Sequence, residues 1–246
     1  MKIIVCVKQV PDTSGKVAVN PDGTLDRASM QTITNPDDLN AVEAALKLKD
    51  ETGCKVIVVT MGPPPAEGML RELIAMGADE AVLVSAREFG GSDTFATSQI
   101  VAAAIKKIGL EDEDIVFCGR QAIDGDTAQV GPQLAEKLGI PQISYVAGIE
   151  KNGNTVTCKR MLEDGYMMIQ TKTPCLLTCV KELNQPRYMS IPGIVGCYEK
   201  PLSVYNYETL KDDPLIELDT IGLKGSPTNI FKSFTPPQKG VGMMLE

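Results

Sequence analysis

The segment of this sequence best suited to chemistry is the polar loop Gly119–Thr127, which leads into a helical pattern from Ala128 to Leu134. Backbone N–H groups at the start of a helix have no partner within the helix and therefore attract anions. Gly125 allows a ligand to approach the backbone closely, and Thr127 adds a hydroxyl group. Gly131-Pro132 inside the helix is expected to loosen its first turns. The loop predicts a phosphate site, with a kinked, aspartate-capped helix as the alternative interpretation.

Asp124 and Asp126 in the same loop could also form a carboxylate pair for acid–base catalysis. The chain contains no histidine, which excludes Ser-His-Asp and Cys-His catalysis and any histidine-ligated metal. Neither a G-x-G-x-x-G pattern nor a P-loop pattern is present. Hydrolysis by the two aspartates is therefore the weaker hypothesis, and any redox function requires a bound cofactor.

A second candidate ligand contact is the helix start Asn35-Pro36-Asp37-Asp38. Asn35 is expected to cap the helix and Pro36 to occupy its first position. Asp37 and Asp38 favour the positive end of the helix dipole. Helical spacing continues to Gly53, where the helix is expected to end.

Short apolar runs alternate with helical patterns through the first two-thirds of the chain. The runs are continuous rather than alternating, which predicts a parallel sheet covered by helices on both faces. Ligands bind beyond the carboxyl ends of such strands, so both candidate contacts lie at the expected edge. The expected strands cover residues 3–7, 54–61, 81–84 and 115–117, and the expected helices cover 35–52, 66–76, 94–108 and 128–138.

The pattern changes near residue 141. Residues 144–160 predict a β-hairpin, and residues 167–171 and 175–180 predict further strands that extend the sheet with antiparallel pairing. The expected fold class is α/β: a Rossmann-like, mostly parallel sheet with helices on both faces, an antiparallel extension and a long C-terminal arm. Residues 1–182 are expected to form a nucleotide-binding domain. Residues 183–246, rich in proline and glycine, are expected to lie along this core or along a partner chain.

Composition excludes several classes of function. The net charge is −8, which argues against nucleic acid as the main ligand and against docking on anionic membranes. The apolar run Lys2–Val7 lacks the pattern of a cleavable signal, and no stretch is long enough to span a bilayer. These features predict a cytoplasmic protein. The seven cysteines include no C-x-x-C pair, so neither a disulfide framework nor a metal site is expected.

Several segments together resemble the electron transfer flavoprotein β-subunit family. Each segment alone is a weak signal, but the set occurs in the expected order from residue 1 to at least residue 200. The segments are Val7–Asp12, Asn35-Pro36 with Ala41–Ala45, Val59–Pro63, Ala75–Asp79, Cys118–Asp126 and Asn184–Tyr188.

The resemblance implies a heterodimer with an electron transfer flavoprotein α subunit, and an adenine nucleotide bound in the present chain. The region Leu183–Ile194 resembles a recognition loop that docks on acyl-CoA dehydrogenases, and the C-terminal arm is expected to wrap the α subunit. On this resemblance the β chain is a carrier subunit rather than an enzyme by itself. The implied nucleotide contacts, with Arg120 from the loop, are Cys6, Asn35, Pro36, Asp37, Asp38, Met61, Arg120, Asp124, Gly125, Asp126, Thr127, Ala128, Gln129, Val130, Gly131, Pro132, Gln133, Leu134 and Ala135.

The family has two branches. Simple members hold AMP in the β subunit, whereas bifurcating members hold FAD there. This FAD takes a hydride from NADH and sends one electron to ferredoxin or flavodoxin. The other electron passes through the α-subunit FAD to an acyl-CoA dehydrogenase or reductase. Gly225–Thr228 and Lys232–Pro236 resemble the bifurcating branch. Lys159–Tyr166 departs from the acidic, glycine-rich pattern of many simple members.

Two alternatives remain open from the sequence. Arg120 could stabilise an anionic flavin, or it could be a surface or interface arginine. The competing class for the whole chain is a nucleotide-binding signalling or stress protein of similar architecture. Such a protein would be shorter than this chain and would lack the long C-terminal tail.

Overall fold

Nine strands form one mixed sheet in the computed structural model, which describes residues 1–12 and 31–228. Two further short strands form a separate antiparallel ribbon. In chain order, the strands are β1 (Lys2–Cys6), β2 (Gln9–Pro11), β3 (Thr32–Thr34), β4 (Lys55–Met61), β5 (Glu80–Val84), β6 (Ile115–Gly119), β7 (Gln142–Asn152), β8 (Thr155–Leu162), β9 (Gly165–Lys172), β10 (Cys175–Cys179) and β11 (Leu202–Tyr205). The order across the sheet is β11-β5-β4-β1-β6-β10-β7-β8-β9, and β2 pairs with β3.

The helices cover both faces of this sheet, as the apolar runs predicted. One core contains α1 and α2, and the opposite core contains α3, α4 and α6. Within β1, Ile3 and Val5 belong to the first core and Ile4 to the second, which explains why the strand is apolar throughout. The helices are α1 (Pro36–Thr52), α2 (Glu67–Met76), α3 (Thr94–Ile108), α4 (Val130–Leu138), α5 (Ile191–Gly196) and α6 (Tyr207–Leu210), with 3₁₀ turns at Pro64–Ala66, Arg87–Phe89 and Lys181–Leu183.

The antiparallel extension is confirmed for β7, β8 and β9, which pair in sequence as antiparallel neighbours. The expectation for β10 is wrong. This strand lies between β6 and β7 and is parallel to both. All of its residues are buried, which suits a central position and not an added edge. Strands β7, β8 and β9 extend to the edge of the sheet, and the chain then returns to form β10 between β6 and β7. Strand β10 runs parallel to both neighbours.

The described part of the C-terminal arm packs on the chain's own core. Strand β11 pairs in parallel with β5 at the far edge of the sheet. Leu210, Ile216 and Ile221 are buried in the core on the α3 side. Contact between the arm and an α subunit stays a prediction, as do the two domain ranges. Residues Lys232–Pro236 lie outside the described part of the chain.

No helix in residues 1–12 and 31–228 combines the length and the apolar character that a membrane-spanning helix needs.

Candidate functional site

Three chain segments meet at the carboxyl ends of β1 and β6. The order of the sheet reverses between these two strands, since β4 and β5 lie on one side of β1 whereas β6 and β10 lie on the other. Such a switch point leaves a crevice above the sheet, because the connections diverge to opposite faces. The segments that border it are the residues after β1, the start of α1 and the loop between β6 and α4.

Asp38 ties these three segments together. Its buried carboxylate accepts one hydrogen bond from the backbone N–H of Lys8 at 2.8 Å and another from that of Gly119 at 2.9 Å. A side chain at Gly119 would overlap the carboxylate and lie 2.7 Å from the backbone nitrogen of Asp38. The start of α1 can therefore approach the end of β6 only because residue 119 is glycine.

Asn35 does not cap α1 with its side chain, contrary to the sequence expectation. Its amide group instead donates to the carbonyl of Gln121 at 2.8 Å and accepts from the N–H of Ile123 at 3.1 Å. Both partners belong to the polar loop after β6. The amide therefore fixes the loop against the helix, a role that suits asparagine because its side chain can both donate and accept.

The polar loop adopts a conformation that leaves its backbone donors free. Asp126 and Ala128 have φ angles of 50° and 52°, in the left-handed region that non-glycine residues rarely occupy. Among the described residues, nothing accepts a hydrogen bond from the five backbone N–H groups of Thr127–Gly131. Consecutive unpaired N–H groups of this kind form a concave cradle for anions.

The start of α4 differs from the sequence expectation. The helix begins at Val130 and not at Ala128, because the left-handed backbone of Ala128 is incompatible with a helix. Pro132 consequently lies in the first turn, where its missing N–H would have had no partner. The expected interior kink is wrong. A side chain at Gly131 would lie 2.5 Å from Thr178 Cγ2, so this glycine allows α4 to pack on β10.

The remaining residues of α4 that the resemblance implied as contacts divide between two environments. Leu134 and Ala135 are buried in the core against the sheet, whereas Gln133 is only partly buried. Their contact with a ligand stays a prediction. Nearby, Asp93 caps α3 and accepts a hydrogen bond from the N–H of Thr228 at 2.9 Å. The segment Gly225–Thr228 thus lies against the start of α3.

Arg120 lies beside Asp37 at the rim of the crevice. Its Nε is 3.2 Å from Asp37 Oδ2, an ion pair in which the N–H does not point at the oxygen. Burial raises the pKa of Asp37, and the positive charge of Arg120 opposes this shift. The backbone N–H of Arg120 donates to the carbonyl of Cys179 at 2.8 Å. The arginine charge is therefore partly compensated within the chain, and a role toward an anionic flavin stays a prediction.

Lys8 is a site residue that the sequence analysis missed. Its Nζ lies 2.7 Å from both carboxylate oxygens of Asp124. This contact joins the end of β1 to the polar loop across the mouth of the crevice. The available signal was a lysine directly after a buried strand, at the edge where ligands bind. Its partner, 116 residues away, could not be inferred from spacing.

Cys6 and Met61 lie at the carboxyl ends of the adjacent strands β1 and β4. Both are partly exposed, as expected for residues that floor a crevice. Cys6 is the register partner of Cys118 in β6. A hydrogen bond with Cys6 and burial both raise the pKa of the Cys118 thiol. This thiol therefore stays protonated and unreactive at neutral pH.

Burial raises the pKa of Asp38 to about 7, and the hydrogen bonds from the N–H groups of Lys8 and Gly119 oppose that rise. Because an unfolded aspartate titrates near 3.8, the folded chain binds an extra proton between these two values. Asp38 should therefore make stability fall as pH rises from 4 to 7, by up to about 1.4 kcal/mol per pH unit. Urea denaturation at pH 5 and pH 7 should show a smaller pH effect in Asp38→Asn than in the unchanged protein. Equal pH effects in the two proteins would contradict this assignment.

Comparison with known proteins gives a consistent family. Residues 22–207 match the electron transfer flavoprotein domain. The chain is 75% identical over its full length, and over 92% of the relative, to the acryloyl-CoA reductase electron transfer subunit gamma of Anaerotignum propionicum. With the same coverage it is 53% identical to the caffeyl-CoA reductase-Etf complex subunit CarD of Acetobacterium woodii. It is 52% identical to the electron transfer flavoprotein subunit beta of Clostridium acetobutylicum, again over 100% of the chain and 92% of the relative.

These matches cover the whole site. The domain match includes the start of α1, the polar loop after β6 and the segment that follows β10. The relatives also extend over the arm beyond residue 207. The switch-point crevice, its anion cradle and this whole-chain similarity together identify the chain as a member of the electron transfer flavoprotein family, of the β-subunit type.

Proposed function

We propose that this chain binds FAD in the switch-point crevice, receives electrons from NADH and divides them between two acceptors. One acceptor is ferredoxin or flavodoxin. The other is an acyl-CoA dehydrogenase or reductase, reached through the FAD of an α subunit. The observation that carries the proposal is the anion cradle at residues 127–131, at the position where an open α/β sheet binds its ligand.

The residues of the cradle fit a nucleotide that carries phosphate. Free N–H groups are available, and both neighbouring aspartates have partners within the chain. Asp124 is paired with Lys8, and Asp126 accepts a hydrogen bond from Gln121 Nε2 at 2.7 Å. The charge of Asp124 is therefore balanced within the chain, and the carboxylate of Asp126 is tied to a side chain of the loop. When bound, FAD supplies the redox chemistry that no side chain of this histidine-free protein can supply.

The relatives support an acyl-CoA reductase as one of the electron acceptors. The relative at 75% identity is named as an electron transfer subunit of acryloyl-CoA reductase, and the one at 53% as a subunit of a caffeyl-CoA reductase-Etf complex. The alternative within the family is a non-bifurcating β subunit that holds AMP, and its single phosphate would fit the same cradle. The alternative of a signalling or stress protein loses its support, because full-length similarity to electron transfer subunits extends through the arm.

Partners and location follow from the same proposal. The chain would form a heterodimer with an α subunit, which the arm of residues 183–246 contacts. The exposed region after β10 would dock on the acyl-CoA dehydrogenase or reductase. NADH and ferredoxin or flavodoxin are reactants of the cytoplasm, where we place the complex.

The decisive measurement is the nucleotide content of the heterodimer. The chain is coexpressed with its α subunit, the purified complex is denatured, and the released nucleotides are separated and quantified. Two FAD and no AMP per heterodimer are expected, followed by NADH-driven reduction of ferredoxin. One FAD with one AMP would overturn bifurcation and leave a simple carrier. Absence of any nucleotide would overturn the assignment of the crevice.

A further inference from the structure

The segment of residues 188–198 exposes an unusual amount of apolar surface. Tyr188 is 94% exposed and Ile191 is 79% exposed, and Val195 and Tyr198 are nearly as open to solvent. Contiguous exposed apolar residues that include tyrosine are typical of protein interaction sites. We refer to residues 188–198 as the apolar segment.

The chain just before the apolar segment is clamped to α1. The Nε and backbone N–H of Arg187 donate to Glu43 Oε2 at 2.9 and 3.0 Å, and Nη2 donates to Oε1 at 3.1 Å. Nη2 also donates to Asp50 at 2.7 Å. Only 4% of the Glu43 side chain is exposed. A two-pronged contact to a buried carboxylate fixes orientation as well as position.

A second contact reinforces this clamp. The amide of Asn40 donates to the carbonyl of Asn184 at 2.8 Å, and the amide of Asn184 donates to the carbonyl of Asn40 at 2.9 Å. These exchanged bonds lie one helical turn before Glu43. Two successive turns of α1 therefore hold the chain that leads into the apolar segment.

The apolar segment is also fixed from within and from its far end. A side chain at Gly193 would overlap the carbonyl of Ala75 at the end of α2, so α5 packs directly on that backbone. Arg71 donates to the carbonyls of Cys197 and Lys200 at 2.9 and 3.0 Å. Contacts at both ends therefore fix the backbone that carries the exposed apolar side chains.

The clamp lies on the same helix as the nucleotide site. Asp37 and Asp38 occupy the first turn of α1, and Glu43 follows about 8 Å along the helix axis. The rigid helix therefore sets the position of the apolar segment relative to the crevice. The same helix therefore borders the crevice at its first turn and holds the chain before the apolar segment one to two turns later.

We propose that Glu43 and Arg187 are positioning residues, which fix the apolar segment in the orientation that docks on an acyl-CoA reductase. This inference rests on the proposed function. The reductase is the occupant because relatives at 75% and 53% identity are subunits of such reductase complexes. Arg187 pairs with both Glu43 and Asp50, which balances one of the two negative charges beside the apolar segment.

The test uses the complete heterodimer, reduced with stoichiometric dithionite, as electron donor to acryloyl-CoA reductase of Anaerotignum propionicum. Arg187→Lys keeps the charge but loses the two-pronged contact. The double variant Glu43→Gln/Arg187→Gln removes the clamp without leaving a buried charge unpaired. Both should raise the KM for the heterodimer about tenfold, because preorganisation of the docking face is lost, with kcat and nucleotide content unchanged. Ile191→Ala reports on docking itself, and Arg87→Gln is the matched control at an exposed arginine.

The outcomes separate the clamp from the docking surface. A raised KM in Ile191→Ala with unchanged values in both clamp variants would overturn the clamp and leave the docking proposal intact. An unchanged KM in all variants would overturn docking by this segment. A heterodimer that fails to assemble with Ile191→Ala would show that the α subunit covers the segment. Loss of nucleotide or of kcat without a change in KM would assign Glu43 and Arg187 to the integrity of the crevice, against the proposal.

Discussion

Replacing Gly119 with alanine is expected to release the bound nucleotide and to lower the free energy of unfolding by about 3 kcal/mol. The new methyl group would overlap the Asp38 carboxylate and meet the backbone of Asp37 and Asp38 within 2.7 Å. Backbone atoms cannot move aside as a flexible side chain can, so α1 must shift away from β6. That shift would also pull the amide of Asn35 away from the polar loop. Urea denaturation and the nucleotide content of the purified heterodimer measure the two effects.

The matched control for this substitution is Gly68→Ala. Gly68 is exposed on α2, and a methyl group there would meet no atom within 4 Å. Alanine favours a helix over glycine by about 0.5–1 kcal/mol, so this variant should be slightly more stable than the unchanged protein and keep its nucleotide. Equal stability of Gly119→Ala and Gly68→Ala would show that α1 does not need its close approach to β6.

Replacing Asp38 with alanine is the second change with a large expected effect. The backbone N–H groups of Lys8 and Gly119 would lose their acceptor inside the protein. Each unsatisfied buried donor costs about 1–3 kcal/mol, and relief of the buried charge offsets part of the loss. We expect the free energy of unfolding at pH 8 to fall by about 3 kcal/mol, with most of the nucleotide lost. Chemical denaturation and nucleotide analysis test this result.

Two further variants show whether the acceptor is responsible. Asp38→Asn keeps one acceptor oxygen and should lie between alanine and the unchanged protein. Asp112→Ala changes an exposed aspartate and should alter stability by less than about 0.5 kcal/mol. A cost below about 1 kcal/mol for Asp38→Ala would mean that other groups, such as water, satisfy both donors.

Glu43 and Asp38 illustrate two uses of one helix. Both carboxylates are buried and both accept hydrogen bonds from distant segments, yet one contact borders the crevice and the other fixes an exposed surface. The sequence pattern of α1 cannot distinguish these roles, because it shows only that both residues are acidic positions within the helix. Only the partner identifies the role: Lys8 and Gly119 at the strand ends for Asp38, and Arg187 before the apolar segment for Glu43.

The sequence by itself determined the central part of this protein. Continuous apolar runs at β1, β4 and β6 require cover on both faces, and they predicted the parallel sheet and its helices. Strong local signals also placed α1, which begins at Pro36 and ends before Gly53, and they placed the polar loop at the ligand-binding edge. These features depend on neighbouring residues, so a single sequence suffices to predict them.

The tertiary structure alone decided how distant segments are joined. It placed β10 inside the sheet and β11 at its edge, and it turned Asn35 from a helix cap into a support for a loop 86 residues away. It also paired Lys8 with Asp124 across 116 residues and Glu43 with Arg187 across 144. Contacts at such separations depend on the folding of the whole chain. Local periodicity and propensity carry no information about which remote residue a side chain will contact. The physical reason is that a buried polar group must be paired, but which remote group pairs with it depends on how all the elements pack together. The sequence pattern indicates only that such a partner is required.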